Sequence, residues 1–157
     1  MTRLLLLPIA IFLFAQCSST KESNKEASAV SNITSIQWGK SFGMCRGYCL
    51  EEFTFTADSV FKHQQSWQPD LYPDKDSSWM DSAPFNLFAV DVQYDSLLAL
   101  GDRLGCPDCA DGGSEWLAFR MVDGRYHKVV FEFGTIPQSQ GLLLAQIRAW
   151  YEKQSRK

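Results

Sequence analysis

The residues best placed to do chemistry are four cysteines in two short motifs, Cys45-Arg46-Gly47-Tyr48-Cys49 and Cys106-Pro107-Asp108-Cys109. Three chemistries suit such pairs. Structural disulfides need only that the sulfurs meet, and exported domains with few, evenly numbered cysteines commonly use theirs this way. Zinc needs four thiolates at tetrahedral geometry, which Cys45, Cys49, Cys106 and Cys109 would supply together, and the spacing of the second pair is common at structural zinc sites. Thiol–disulfide catalysis uses a Cys-x-x-Cys motif whose first thiol is activated at a helix N-terminus. Here Ala110-Asp111-Gly112-Gly113-Ser114 follows, which predicts a loop and then a strand, while Asp108 and Asp111 oppose a thiolate. Disulfides are the leading expectation, zinc on the same four residues is the alternative, and no metal or cofactor is expected.

Other side chains in these motifs carry weaker signals. Asp108, Asp111 and Glu115 supply oxygens for calcium, but their spacing does not match the twelve-residue EF-hand loop. Aspartate beside glycine is ordinary turn chemistry. His63 and His127, the two histidines, each fall in a strand pattern with no Cys, Asp or Glu at ligand spacing. The chain has no phosphate-binding glycine loop, no nucleotide fingerprint and no His-Glu-x-x-His.

The location is written in the first residues. Arg3 and the apolar run Leu4 to Phe14 have the form of a signal segment, too short to span a bilayer and interrupted by Pro8. The run ends in Phe14-Ala15-Gln16-Cys17, which resembles a bacterial lipobox, although Gln16 departs from the small residue usual before the acylated cysteine. Residues 1–16 are thus expected to be a signal peptide. Cys17 is expected to carry lipid, and 17–32, with almost no apolar bulk, to be a flexible tether. The expected partner is a membrane, reached through this lipid. With a net charge of -3 and no basic stripe, nucleic acid is not an expected partner.

Positioning the cysteines falls to one domain, 33–157. Leu50 to Thr56 puts Phe53 and Phe55 on one face and Glu52, Thr54 and Thr56 on the other, the period of a half-buried strand. Val60 to Trp67 returns as its partner, preceded by a β-leaning Ile33 to Trp38. Gln68 to Ser78, dominated by proline and aspartate, predicts a surface loop. Ser82 is placed to cap a helix from Pro84, with Phe85, Phe88, Ala89 and Val92 on one face. A second short helix is predicted from Tyr94 to Leu100. Trp116–Val122 and Arg125–Phe133 flank Asp123-Gly124, a tight-hairpin signal that predicts Leu117 opposite Val130; a three-residue turn would place it opposite Phe131. Gln138 to Ser155 carries Leu143, Ile147, Trp150 and Tyr151 as a helical stripe. The expected fold is α+β, a small antiparallel sheet of about four to five strands covered on one face by helices, with a long C-terminal helix.

Ser41-Phe42-Gly43-Met44-Cys45-Arg46-Gly47-Tyr48-Cys49, followed by two strand patterns, resembles an uncharacterised family of bacterial exported or lipoprotein domains of unknown function. Its mark is Gly-x-Cys-x-Gly-x-Cys before a two-stranded segment, and the likeness covers about Ile33 to Trp67. Leu50 stands where the family has proline. Since the family has no established activity, the resemblance implies a location and a fold. Spacing alone leaves local and crossed disulfides open, because either motif must curl before its sulfurs meet. The first pair occurs in that family without the second, which implies local closure, Cys45–Cys49 and Cys106–Cys109, with the two turns close together. The expected function is that of a membrane-anchored envelope lipoprotein, periplasmic or surface-facing, that binds or supports rather than catalyses. A periplasmic thiol–disulfide or zinc-binding protein is the alternative.

Overall fold

A computed structural model describes residues 32–92 and 94–156. The expected signal peptide 1–16, the lipidation residue Cys17 and all of the tether except Asn32 lie outside the described residues. Among the described residues no helix is long and apolar enough to cross a membrane. The strands are β1 (Ile33–Ser41), β2 (Tyr48–Thr56), β3 (Ser59–Ser66), β4 (Lys75–Met80), β5 (Arg103–Leu104), β6 (Ser114–Met121) and β7 (Tyr126–Glu132). The helices are α1 (Ala83–Val90), α2 (Tyr94–Leu98) and α3 (Gly141–Ser155).

These strands make one seven-stranded sheet in the order β4-β3-β2-β1-β6-β7-β5. The architecture corrects the expectation of a small antiparallel α+β sheet of four to five strands. The sheet is larger and mixed, because β5 runs parallel to β7 while the other pairs are antiparallel. The two strands missing from the sequence reading are the two edges. Strand β4 begins within the stretch read as a loop, Gln68 to Ser78, and runs two residues past it. Only its Trp79 is half-buried, so Lys75-Asp76-Ser77-Ser78-Trp79-Met80 shows no alternation of apolar and polar residues. Strand β5 has two residues, too few for any periodicity. Edge strands that are short or charged are a usual way of blunting a sheet edge.

One face of the sheet carries Ile36, Trp38, Phe53, Phe55, Val60, Leu117, Phe119, Val129 and Phe131, all buried. Phe85, Phe88 and Ala89 of α1, Leu97 of α2 and Leu143, Leu144 and Ile147 of α3 complete this core. Ser82 stands at the N-cap of α1 without a side-chain hydrogen bond. The carboxylate of Asp81 accepts from Ala83 N instead, at 3.1 Å.

The β6–β7 hairpin corrects the expected register. Leu117 pairs with Val129, not with Val130 or Phe131. Met121 N donates to Arg125 O at 2.9 Å, so the turn holds three residues, Val122 to Gly124. Only Gly124 takes a positive φ, 86°. A three-residue loop ending in a left-handed glycine is the next commonest hairpin after the two-residue turn, and it satisfies the same Asp-Gly signal.

Helix α3 is fixed to the core face by a buried ion pair. Glu115 in β6 is fully buried. It accepts from Arg148 Nε at 3.0 Å and Nη2 at 2.6 Å, from Trp38 Nε1 at 2.6 Å and from Gly134 N at 3.3 Å. Arg148 also donates to Thr135 O at 2.7 Å. A bidentate guanidinium with further donors is the arrangement that compensates burial of a carboxylate. Removing Arg148 leaves the Glu115 carboxylate buried without its charge partner. Arg148→Ala is therefore expected to destabilise the protein by about 3–5 kcal/mol, read as a fall in the urea midpoint. An unchanged midpoint would show that α3 is held by its apolar stripe alone.

Candidate functional site

The two cysteine turns do come together. Cys45 and Cys49 are disulfide-bonded with Cα atoms 5.6 Å apart, and Cys106 and Cys109 with Cα atoms 5.4 Å apart. Register places β1 Ser41 beside β6 Ser114, so the loop after β1 and the loop before β6 leave the sheet side by side. Gly43 N donates to Asp108 Oδ1 at 3.2 Å. Phe42 packs edge-on against Phe133, with ring centroids 4.8 Å apart. Gly113, at φ 83°, is closely covered by the Phe42 ring, so that a Cβ there would clash with it.

With each pair closed on itself, the four thiolates of the zinc alternative are not free. Among the described residues no three His, Cys, Asp or Glu side chains group as a metal site. Of the three oxygen donors singled out for calcium, Glu115 is buried on Arg148 and Asp108 accepts from Gly43. His127 is half-buried in β7 opposite Phe119. His63 has a partner that sequence spacing did not show. Its Nδ1 lies 2.7 Å from Asp76 Oδ1 across the β3–β4 pair, on the sheet face away from the core. Finding it required β4, the strand that the sequence hides.

A second feature is a cleft on the core face, between the end of α3 and strands β2 to β4. It encloses about 510 Å³ and is lined by Glu51, Phe53, Lys62, Trp79, Tyr151, Gln154 and Ser155. The strand residues share a face because Phe53 pairs with Lys62 and Val60 pairs with Trp79. Helix α3 brings Tyr151 over them, one turn after Arg148. The rings pack on one another, Phe53 against Tyr151 edge to face and Trp79 through Trp150. Tyr151 meets Phe53 at 5.8 Å and Trp38 at 5.1 Å between centroids. Trp79 stacks on Trp150 at 6.5 Å with an interplanar angle of 9°.

The floor of the cleft is an ion network. Glu51 Oε2 accepts from Tyr151 Oη at 2.7 Å and lies 3.3 Å from Lys40 Nζ. Its Oε1 lies 3.0 Å from Lys62 Nζ and accepts from Gln64 Nε2 at 2.9 Å. Lys40 Nζ also donates to Tyr151 Oη at 2.7 Å. Four donors thus converge on one carboxylate, and two ammonium groups face one negative charge. The site carries a surplus positive charge beside an aromatic lining. Burial works against the charged form of Glu51, but hydrogen bonds from Tyr151 and Lys62 and the charges of Lys62 and Lys40 prevail and lower its pKa. Burial, together with the Glu51 charge, raises the Tyr151 pKa and keeps its phenol protonated.

Sequence reading missed this site because its parts come from four strands and a helix and form no motif. Trp79 follows directly on the stretch read as a loop, and Glu51 and Lys62 carry no assigned role in their strands. Tyr151 alone had a signal, its place in the helical stripe, which pointed to the core and not to a cleft. In comparisons with known proteins, no family model matches the chain and no curated protein matches it.

The lowered Glu51 pKa has a defined consequence. A carboxylate whose folded pKa lies below its unfolded value stabilises the fold fully above the unfolded pKa and loses that contribution as pH falls through the folded one. Glu51→Gln is therefore expected to destabilise the protein at neutral pH and to flatten the acid limb of its stability profile. Denaturation midpoints of both proteins measured from neutral to acid pH check this; parallel limbs would contradict it.

Proposed function

We propose that the protein is a membrane-anchored envelope lipoprotein that binds a small planar organic anion in the cleft beside α3. The observation that carries the binding reading is the pairing of an aromatic lining, Trp79, Phe53 and Tyr151, with two lysines that share one carboxylate. An apolar pocket with a few convergent polar groups is the usual form of a small-ligand site. A ring stacked on Trp79 gains dispersion and area burial, and an acidic group near Lys62 meets the surplus charge. Binding suits the site better than catalysis, because the oxygens of Glu51 already accept from Tyr151, Lys40, Lys62 and Gln64, leaving a poor general base.

The anchoring reading rests on the lipobox-like Phe14-Ala15-Gln16-Cys17 and on the likeness of Ser41–Cys49 to exported bacterial domains. Cys17→Ser is expected to abolish incorporation of labelled palmitate and move the protein from the membrane to the soluble fraction. A variant that stays membrane-bound with label would overturn the anchor.

Anilinonaphthalene sulfonate, a planar aromatic anion, is a direct probe of the cleft. Native protein is expected to bind it at one site, and Trp79→Ala to weaken binding about tenfold, by loss of one aromatic contact surface. Equal affinity for both proteins in a fluorescence titration would remove the cleft as the site.

A further inference from the structure

The two disulfides are built differently. Cys49 is buried, 3% exposed, in a strand at the foot of the first turn, and its partner Cys45 is half-buried. Cys106 and Cys109 are both exposed. They border an open hollow of about 220 Å³ shared with Gly112, Gly113, Glu132 and Phe133, so that solvent reaches the second bridge. The backbone between and beyond these sulfurs is also unusual. Asp108, Ala110 and Asp111 all take positive φ, at 61°, 52° and 57°. No other non-glycine residue among the described residues does so. Aspartate tolerates the left-handed region through its short polar side chain; alanine has no such relief. Left-handed alanine costs energy that the surrounding structure must hold in place.

We propose that Cys106–Cys109 is a thiol–disulfide exchange site that an external vicinal dithiol opens while Cys45–Cys49 remains closed. Exposed or strained bridges are the ones that exchange, whereas buried, relaxed ones resist. The external thiolate attacks one sulfur of the pair and forms a mixed disulfide, expelling the other cysteine as a thiolate that takes a proton from water. The reductant's second thiol then attacks its own sulfur in the mixed disulfide. Two electrons pass to the protein, which ends with two thiols, and the reductant leaves as a disulfide. Asp108, Asp111 and Glu132 surround the pair with negative charge, the reverse of the cationic setting of a thiolate catalyst. The pair is therefore a responder to an outside dithiol.

Opening has a structural consequence. Glu132 Oε1 accepts from Cys106 N at 2.7 Å and keeps that end on β7. The turn from Cys109 to Asp111 is held by the bridge and by Asp108 N donating to Gly113 O at 3.0 Å. Releasing it frees Asp108 from Gly43 and loosens the contact between the two turns.

The test equilibrates the protein in graded ratios of reduced to oxidised dithiothreitol, alkylates the free thiols and maps them by mass spectrometry. Cys106 and Cys109 are expected to become alkylated at a lower ratio than Cys45 and Cys49. Ala110→Gly, which removes the steric cost of positive φ, is expected to move the Cys106–Cys109 midpoint about fivefold towards higher dithiol and leave the other pair unmoved. Simultaneous opening, earlier opening of Cys45–Cys49, or no shift in Ala110→Gly would overturn the proposal. In the wild type the Gly43 amide resonance is expected to shift on opening; a static resonance would overturn the coupling between the turns.

Discussion

A buried carboxylate sets the geometry of this protein. Glu115 has no contact with water, and Arg148, Trp38 and Gly134 supply the donors that make its burial tolerable. Arg148 can reach Glu115 only if α3 lies along the core face with its polar edge turned to β6. That orientation places Leu143, Leu144 and Ile147 in the core and Tyr151 over β2. Register then supplies a row of alternating charge at the same level, since Lys40 lies between Glu51 on one side and Glu115 on the other. Opposite charges placed directly across neighbouring strands are mutually stabilising.

The cleft is a by-product of that arrangement. The sheet continues past α3 to β3 and β4, and the helix does not extend over them fully. Phe53, Lys62 and Trp79 are left facing a space that Tyr151, Gln154 and Ser155 close from the helix side. Glu51 follows Cys49 by two residues along β2. One disulfide therefore stiffens the strand that carries Glu51. The other stands outside, at the surface, on a strained loop. The first serves the fold, and the second is exposed enough to serve as a point of control.

Much of the core was readable from the sequence because its elements have clean periods. Phe53 and Phe55 alternate with polar residues and are buried; Leu143 and Ile147 recur at helical spacing and are buried. What the sequence hid is what depends on neighbours. Strand β4 forms because β3 offers it a free edge, not because Lys75 to Met80 has a strand pattern. The hairpin register was set by a left-handed Gly124 in a three-residue turn, which the dipeptide Asp-Gly does not distinguish from a two-residue one. Glu51 and Lys62 read only as polar residues of strands and Glu115 as part of the loop before Trp116, yet all three lie on the core face, where α3 supplies partners to Glu51 and Glu115. The His63–Asp76 contact was invisible for the same reason as β4. Chemistry concentrated in motifs was legible, and chemistry assembled across strands was not.

The central claim is that a planar anion sits in the cleft that α3 closes. Its most direct test is the set of intermolecular nuclear Overhauser contacts between bound anilinonaphthalene sulfonate and the native protein. Contacts from the naphthalene ring to Trp79 and Tyr151, with the sulfonate end near Lys62, are the predicted result. Contacts confined to Phe61 and Tyr126, the exposed rings on the opposite face of the sheet, would contradict it.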